Sequence, residues 1–314
     1  MDKTLQYQCQ YPKKGYFRKV MEQLTLFGID ENPYRNVFPF KTQLLKWVGN
    51  KQRFAHEIIS YFPPHFETYY EPFIGSGAIL GTLAPHRGIA SDTLKPLIGI
   101  WQTLKLDPTT VKEWYTERWQ QSETSGKVTI YEQVKASYNQ FPNPADLLFL
   151  SRTCYGGVVR FRKDGYMSTP CGIHEPISPQ SFSKRVDIWH ERIQNTEFFH
   201  SDFELIMQRA QAGDVIYCDP PYTDTQAILY GAQAFSLTRL FEIIAQCKAR
   251  GVFVVLSIDG SKKTGSKQLR LNVPPALFER EAIVNCGRSM LRRFQMEGQS
   301  LENEVVTDRL LLTY

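Results

Sequence analysis

The sequence predicts an α/β protein built on a parallel sheet, and three observations carry that expectation. Short apolar runs alternate with amphipathic stretches of helical period, the pattern of strands joined by crossover helices. A glycine-rich turn, Glu71-Pro72-Phe73-Ile74-Gly75-Ser76-Gly77-Ala78, sits where one such run feeds a helix. The alternation then breaks off near residue 93 and resumes near 195, with polar, aromatic-containing helical sequence between.

Taken in order, residues 1–36 are polar and irregular, with Pro12, Lys13, Lys14 and Gly15, and read as an N-terminal extension of unassigned role. From Leu44 the pattern changes. Apolar residues at Phe54, Ile58, Ile59 and Phe62 share one helical face, and Pro63-Pro64 ends that helix. "TYYEPFIGSGAILGTLA" is strand, tight turn and helix; "GIASD" is a strand ending at Asp92; "PLIGIWQTLK" returns to helix. Residues 107–145 are polar and helical, with Trp114, Tyr115 and Trp119. "LLFLSRTCYGGVVRFRKDGYMSTPCG" is a helix end running into a glycine-rich basic hairpin. "TEFFHSDFELIMQRA" brings back the strand–helix rhythm. "GDVIYCDPPY", "GVFVVLSIDG" and "DRLLLTY" are further strands, and "TRLFEIIAQCKARG" is a helix closed by Gly251.

Composition narrows the function classes. The chain has 314 residues, 42% hydrophobic and 22% charged, enough for a sizeable core in one large or two medium domains. It has no apolar run near the roughly 18–20 residues that span a bilayer, and the first residues lack the apolar stretch of a signal peptide. A cytoplasmic location away from membranes is the expectation. Six cysteines without a CxxC pair and six histidines without an HxxxH pattern argue against a disulfide framework or a metal site. His56, His65, His174 and His200 read as structural or surface groups. A net charge of +5 and 13% aromatic residues lean toward a polyanionic partner with bases to stack on.

Two stretches carry chemistry. In the first, Gly75 and Gly77 allow a tight turn and close approach of a ligand to the backbone, and Asp92, ending the next strand, is placed to grip ribose hydroxyls. Gly75, Gly77 and Gly81 superficially match a dinucleotide fingerprint. Glu71, just before the turn, speaks against a pyrophosphate there and for a ligand with positive charge. In the second, Val215-Ile216-Tyr217-Cys218-Asp219-Pro220-Pro221-Tyr222, a buried strand ends on a carboxylate and two residues without backbone N–H. Proline fixes φ and extends the residue before it, so the exit is a stiff ledge of acceptors followed by an aromatic face. Such a ledge can receive a planar group bearing N–H donors.

With those residues beside one another, the chain resembles the Dam-type adenine-N6 site-specific DNA methyltransferases of the alpha motif order, from about Leu44 to the C-terminus. "LKWVGNK" is similar to the family's LKW-x-G-G-K, with Asn50 at the second glycine. "EPFIGSGA" and "DPPY" match closely, and "SDF" at Ser201–Phe203 is similar to an acidic motif whose carboxylate contacts the cofactor adenine. The resemblance implies a Rossmann-like S-adenosylmethionine-dependent sheet, residues 37–92 and 196–314, with an inserted, mainly helical target-recognition domain, residues 93–195, carrying the basic hairpin. It implies S-adenosyl-L-methionine as cofactor, held by Trp47, Lys51, Glu71, Phe73, Gly75, Gly77, Asp92 and Asp202, and no metal. Asp219, Pro220, Pro221 and Tyr222 become the catalytic set acting on a flipped adenine.

The partner so implied is double-stranded DNA; as the modification enzyme of a restriction-modification system the protein would have a separately acting restriction endonuclease as a further partner, and as a solitary methylase it would have none. Arg152, Tyr155, Val158, Arg160, Arg162 and Lys163 are the expected DNA contacts, with Arg160 and Val158 at base edges and Tyr155 as a wedge. Lys184 and Arg185 extend that basic surface. Arg288, Arg292 and Arg293 make a second basic patch. The family's Tyr-Asn-Gly turn has Gly156 in place of the asparagine here, which bears on the sequence read rather than on the hairpin. RNA adenine and protein-amide methyltransferases also use such a Pro-Pro loop, and a catalytically inactive DNA-binding module is the reading from another class.

Overall fold

A computed structural model describes residues 32–221, 235–259, 273–288 and 305–314. The first helix, α1 (Ala55–Ile59), stops ahead of the two prolines. Strand β1 (Tyr69–Glu71) leads through the glycine turn into α2 (Ala78–Leu83), and β2 (Gly88–Asp92) leads into α3 (Lys95–Leu106). Four helices follow: α4 (Pro108–Ser125), α5 (Lys127–Gln140), α6 (Pro144–Thr153) and α7 (Pro179–Arg192). The α/β rhythm returns with β3 (Thr196–His200), α8 (Phe203–Met207), β4 (Val215–Cys218), α9 (Leu237–Ala249) and β5 (Phe253–Asp259). Strands β6 (Arg280–Arg288) and β7 (Val305–Leu312) complete the fold.

The seven strands form one sheet in the order β3-β2-β1-β4-β5-β7-β6. The first five run parallel, and β7 lies antiparallel between β5 and β6. This mixed α/β sheet with an added helical region is consistent with a methyltransferase fold. The order decides where chemistry can happen. Strands β1 to β4 point their carboxyl ends the same way, and each is followed by a turn into a helix or loop at that edge.

Local chemistry sets the helix starts. Asp107, Asn143 and Ser178 each accept a bond from a backbone amide three residues on, and each is followed by a proline in the first turn. That pairing satisfies one exposed amide and spends the proline where no N–H is needed. Within the helical region, buried Asp146 accepts from Arg118 Nη2 (2.6 Å), Ser137 Oγ (2.7 Å) and Asn143 Nδ2 (2.7 Å). Those donors meet the lone pairs that burial would otherwise leave unsatisfied.

Helices α3 and α7 join the helical region to the sheet. Trp101 of α3 stacks on Phe198 of β3 with ring centroids 6.0 Å apart, and meets Trp189 of α7 at 5.2 Å. Gln102 and Lys105 donate to the carbonyls of Phe198 and Thr196. The interruption expected from residue 93 begins with a helix, α3, that packs on the sheet. The strand β6 and the helix α7 were not among the elements expected from sequence. The basic hairpin is held by two isolated antiparallel bridges, Cys154 with Cys171 and Phe161 with Met167, not by a continuous ladder.

The seam between α2 and α7 depends on a missing side chain. A Cβ at Gly81 would stand 2.3 Å from the buried Trp189 ring. Gly81→Ala is expected to lower stability by about 1–3 kcal/mol through overpacking, despite alanine's better helix propensity. Urea denaturation checks this, and unchanged stability would show that the tryptophan can move aside.

Candidate active site

At the carboxyl edge of the sheet lies a cavity of about 250 Å³. Its walls include Trp47, Lys51, Glu71, Phe73, Gly75, Asp92, Asp202, Asp219, Pro220 and Pro221. The structure thus brings together residues that lie between positions 47 and 221 of the chain. Gly77 is not in the wall. It caps α2 at φ 65°, and a Cβ there would stand 3.2 Å from the Trp101 ring. Tyr222 lies outside the described residues.

Glu71, the last residue of β1, is 3% exposed. Its Oε2 accepts from the Tyr69 hydroxyl (2.7 Å) and the Leu80 amide (3.0 Å), which leaves Oε1 to a ligand. Burial outweighs those bonds and pushes its carboxyl up to about 8. Asp92, the last residue of β2, accepts from the Gly75 amide (3.2 Å) on Oδ2 and the Leu94 amide (3.0 Å) on Oδ1. Burial raises it as well, and those amides pull it back. Gly75 itself has φ 46°, and its carbonyl accepts from the Trp101 indole at 3.2 Å.

Asp202 follows β3, caps α8 through the Glu204 amide (3.0 Å) and accepts from Arg239 Nη2 (3.0 Å), both on Oδ1. Beside it Phe73 stacks on Phe203 at 5.3 Å, and Phe235 meets Phe203 edge-on at 5.9 Å. These rings make one end of the cavity apolar and flat. Asp219 follows β4, and Lys51 Nζ stands 3.4 Å from its Oδ1. The same ammonium donates to Asp308 Oδ2 of β7 at 2.6 Å. Among the described residues the wall carries four carboxyl groups (Glu71, Asp92, Asp202, Asp219) and two basic side chains (Lys51, Arg239). That balance suits a ligand bearing positive charge.

The hairpin residues divide into two groups. Arg160, Arg162 and Lys163 are exposed, Tyr155 is 38% exposed, and the Arg162 guanidinium lies 4.5 Å from the Tyr166 ring centre. Arg152 corrects the expectation from sequence. It is 7% exposed, donates to the Leu44 carbonyl at 2.7 Å and lies over the Phe182 ring, so its charge serves the interior. The Val158 side chain is likewise packed, 8% exposed, and not presented on the surface. Arg185 turns inward to the Gln43 carbonyl at 3.0 Å. Arg292 and Arg293 lie outside the described residues, as does the side chain of Arg288. Asp308, Arg239 and Phe235 were missed from sequence. Only Asp308 left a trace, as an acid in the otherwise apolar run "LLLTY" and its flank.

The fold and cavity define a class: an α/β protein with an acid-lined cavity at the carboxyl edge of its sheet, beside an Asp-Pro-Pro ledge of acceptors. Residues 47–275 match the family described as D12 class N6 adenine-specific DNA methyltransferase. The chain is similar to the type II methyltransferase M1.LlaDCHI of Lactococcus lactis subsp. cremoris, 27% identical over 72% of this chain and 82% of that one. It is also similar to DNA adenine methylases of Vibrio cholerae and Salmonella typhi, each 28% identical over 68% of this chain and 79% of theirs. The chain belongs to the D12 class, and it is an adenine-specific DNA methyltransferase. This sets aside the RNA adenine and protein-amide readings. Among the described residues no helix is long and apolar enough to cross a membrane.

The raised Glu71 carboxyl makes stability depend on pH. The unfolded chain loses this proton near 4.5 and the folded chain near 8. The folded state is thus favoured below the lower value, and that advantage is lost as pH rises toward the upper one, by on the order of 5 kcal/mol at most. Asp92 adds a slope of the same sign. Glu71→Gln is expected to flatten the decline in urea midpoint between pH 5 and 8. Identical slopes in both proteins would place the Glu71 proton elsewhere.

Proposed function

We propose that the protein transfers a methyl group from S-adenosylmethionine to the amino nitrogen of an adenine turned out of a specific duplex DNA sequence. The observation that carries this is the meeting of two features in one cavity: the Asp219-Pro220-Pro221 ledge and the acid-lined turn at Glu71, Gly75 and Asp92. The residues present fit the cofactor. Glu71 Oε1 suits its ammonium, and Asp92 lies where ribose hydroxyls are gripped in such sheets. The apolar rings of Phe73, Phe203 and Phe235 suit a purine, with Asp202 as acceptor for its amino group. Trp47, packed on Gly75, closes the wall between them. When bound, S-adenosylmethionine supplies an electrophilic methyl group on a sulfonium.

The chain's own part concerns the acceptor nitrogen. That nitrogen is a poor nucleophile while its lone pair is delocalised into the ring. Asp219 and the Pro220 carbonyl can each take one amino hydrogen, which favours a pyramidal nitrogen with its lone pair directed outward. A hydrogen bond to a charged group is worth roughly 1.5–3 kcal/mol, and only the part gained in the transition state speeds the reaction. Turning the base out costs a few kcal/mol. The resemblance assigns Tyr222 to stack on the base, worth about 1–3 kcal/mol, which offsets that cost. No proline N–H competes for the ledge's acceptors.

For DNA reading, the exposed tip from Arg160 to Tyr166 supports a role for the helical region, residues 107–192, as the target-recognition unit. Arginine can bond guanine at O6 and N7 together, and lysine more often holds phosphate. Arg160, Arg162 and Lys163 are the groups free to do this, with Tyr155 beside them. A type II methyltransferase among the relatives supports a pairing with a separate restriction endonuclease.

Expression in a methylation-free host, followed by sequencing that maps modified adenines, tests the whole reading and gives the recognised sequence. Asp219→Ala is expected to abolish methyl transfer while leaving S-adenosylmethionine binding within about tenfold. Wild-type activity in that variant would overturn the site. Arg160→Ala is expected to relax sequence preference by about 1–3 kcal/mol at one position, with the salt dependence of nonspecific binding little changed. A uniform loss on all sequences would make Arg160 a phosphate contact.

A further inference from the structure

We infer that Arg239, in the first turn of α9, is a positioning residue for the purine end of the cofactor. It fixes the plane of the Asp202 carboxylate so that one oxygen is turned to the cofactor's amino group. The inference rests on the proposed role of Asp202 as acceptor for that group.

Two donors meet the same oxygen. Asp202 Oδ1 accepts from the Glu204 amide at 3.0 Å and from Arg239 Nη2 at 3.0 Å. Among the described residues no hydrogen-bond donor meets Oδ2. A single bond to an amide fixes one point of a carboxylate and leaves its plane free to turn about that point. A second donor from another direction fixes the plane, and with it the place of the other oxygen. An ionised carboxylate is acceptor-only, so an oxygen held there answers a ligand group with hydrogens to give and not one without.

The arginine is itself held from several sides. Glu204 Oε2 accepts from its Nε and pairs with its Nη2. The guanidinium lies 5.3 Å from the Phe203 ring centre, and the Ser236 hydroxyl oxygen accepts from the Arg239 amide at 3.3 Å where the helix starts. A planar guanidinium fork can meet two acids in a fixed relation, which a lysine ammonium does not do. Phe203 in turn stacks on Phe73, and Phe235 meets both rings edge-on at 5.9 Å. One guanidinium thus ties the acid assigned to the purine edge to the rings assigned to its faces. Phe235 and Arg239 stand on either side of the Ser236 cap, so a single helix start delivers both to the cavity wall. These ion pairs are partly exposed, and such pairs contribute little to folding. The effect of Arg239 is therefore on selectivity, not on stability.

The test is Arg239→Gln, measured by calorimetric titration of two ligands. One is S-adenosylhomocysteine, the demethylated cofactor; the other is its analogue with purine in place of adenine, which lacks only the amino group. Wild-type protein is expected to prefer the adenine compound by roughly 10- to 100-fold, the worth of one hydrogen bond to a charged group. In Arg239→Gln that preference is expected to fall by about fivefold or more through weaker binding of the adenine compound. The analogue's Kd should stay within about twofold of wild type, and the urea midpoint should not move. Asp202→Asn keeps a good helix cap but turns a donor toward the purine. In that background Arg239→Gln should change either Kd by less than about twofold, because the arginine acts through the carboxylate. Lys248→Met makes the same charge change in the last turn of α9, where it removes an exposed pair with Glu279, and should leave both Kd values unchanged.

An unchanged preference in Arg239→Gln would overturn the inference. So would an equal loss for both compounds, a full effect retained in the Asp202→Asn background, or the same fall in Lys248→Met. Wild-type protein that shows no preference, or Asp202→Asn that keeps it, would instead sink the role proposed for Asp202 on which the inference stands.

Discussion

Four carboxylates converge on one cavity at the carboxyl edge of the sheet, and like charges cannot be gathered in a desolvated space without compensation. Much of the site is the set of answers to that constraint, and each acid has a different one. Glu71 is met by a tyrosine hydroxyl and one amide, too little to offset full burial, so it retains a proton to about 8. Asp92 is met by backbone amides on both oxygens. Asp202 shares one oxygen between a helix cap and Arg239, which is partly exposed to solvent. Asp219 is met by Lys51, whose ammonium also bonds Asp308 of β7. The acid whose compensation is weakest, Glu71, is the one assigned to a cationic ligand, which would supply what the protein withholds.

The sheet order makes this convergence possible. Placing β1 between β2 and β4 brings the ends of three parallel strands side by side, and β3 adds a fourth. Each strand delivers one acid at or just past its last residue, so the acids are spaced by the width of the sheet rather than by sequence. Neighbouring strands lie about 4.8 Å apart, which sets like charges within reach of one another and makes each compensating bond necessary. The antiparallel β7 contributes by its opposite sense, since its early residues reach the edge where the parallel strands finish.

The sequence made the parallel core legible because strand ends and site residues coincide: "YYEPF", "GIASD" and "VIYCDPPY" each announce a buried strand and its acid together. What escaped it was long-range. Arg152 looked like a DNA contact because it sits at the start of a basic hairpin, and nothing local reports that carbonyls more than a hundred residues earlier would take its hydrogens. Asp308 looked like a strand-flank acid, and its partner lies 257 residues away. β6 was unreadable for a different reason. "REAIVNCGR" is mixed in polarity because one face of an edge strand meets solvent, with Ile283 63% exposed, so its apolar pattern is faint. The helix α7 was obscured by a run of charged and polar residues around only three buried positions, Phe182, Val186 and Trp189.

The inward turn of Arg152 also explains how a segment without secondary structure holds a place in the cavity wall. Residues 42–47 form neither helix nor strand, yet Trp47 and Lys51 must sit against Gly75 and Asp219. Three side chains from the helical region fix that segment by its carbonyls: Trp189 bonds Thr42 at 2.9 Å, Arg185 bonds Gln43 at 3.0 Å and Arg152 bonds Leu44 at 2.7 Å. Gly157, at φ 67°, comes so close to Lys46 that a Cβ there would stand 2.8 Å from its side chain. Buried backbone carbonyls need donors, and here arginine and tryptophan supply what a neighbouring strand would otherwise give. The base of the hairpin and the wall of the cavity are thus parts of one hydrogen-bonded unit. A shift of the helical region cannot leave the segment 42–47 where it was without breaking these bonds.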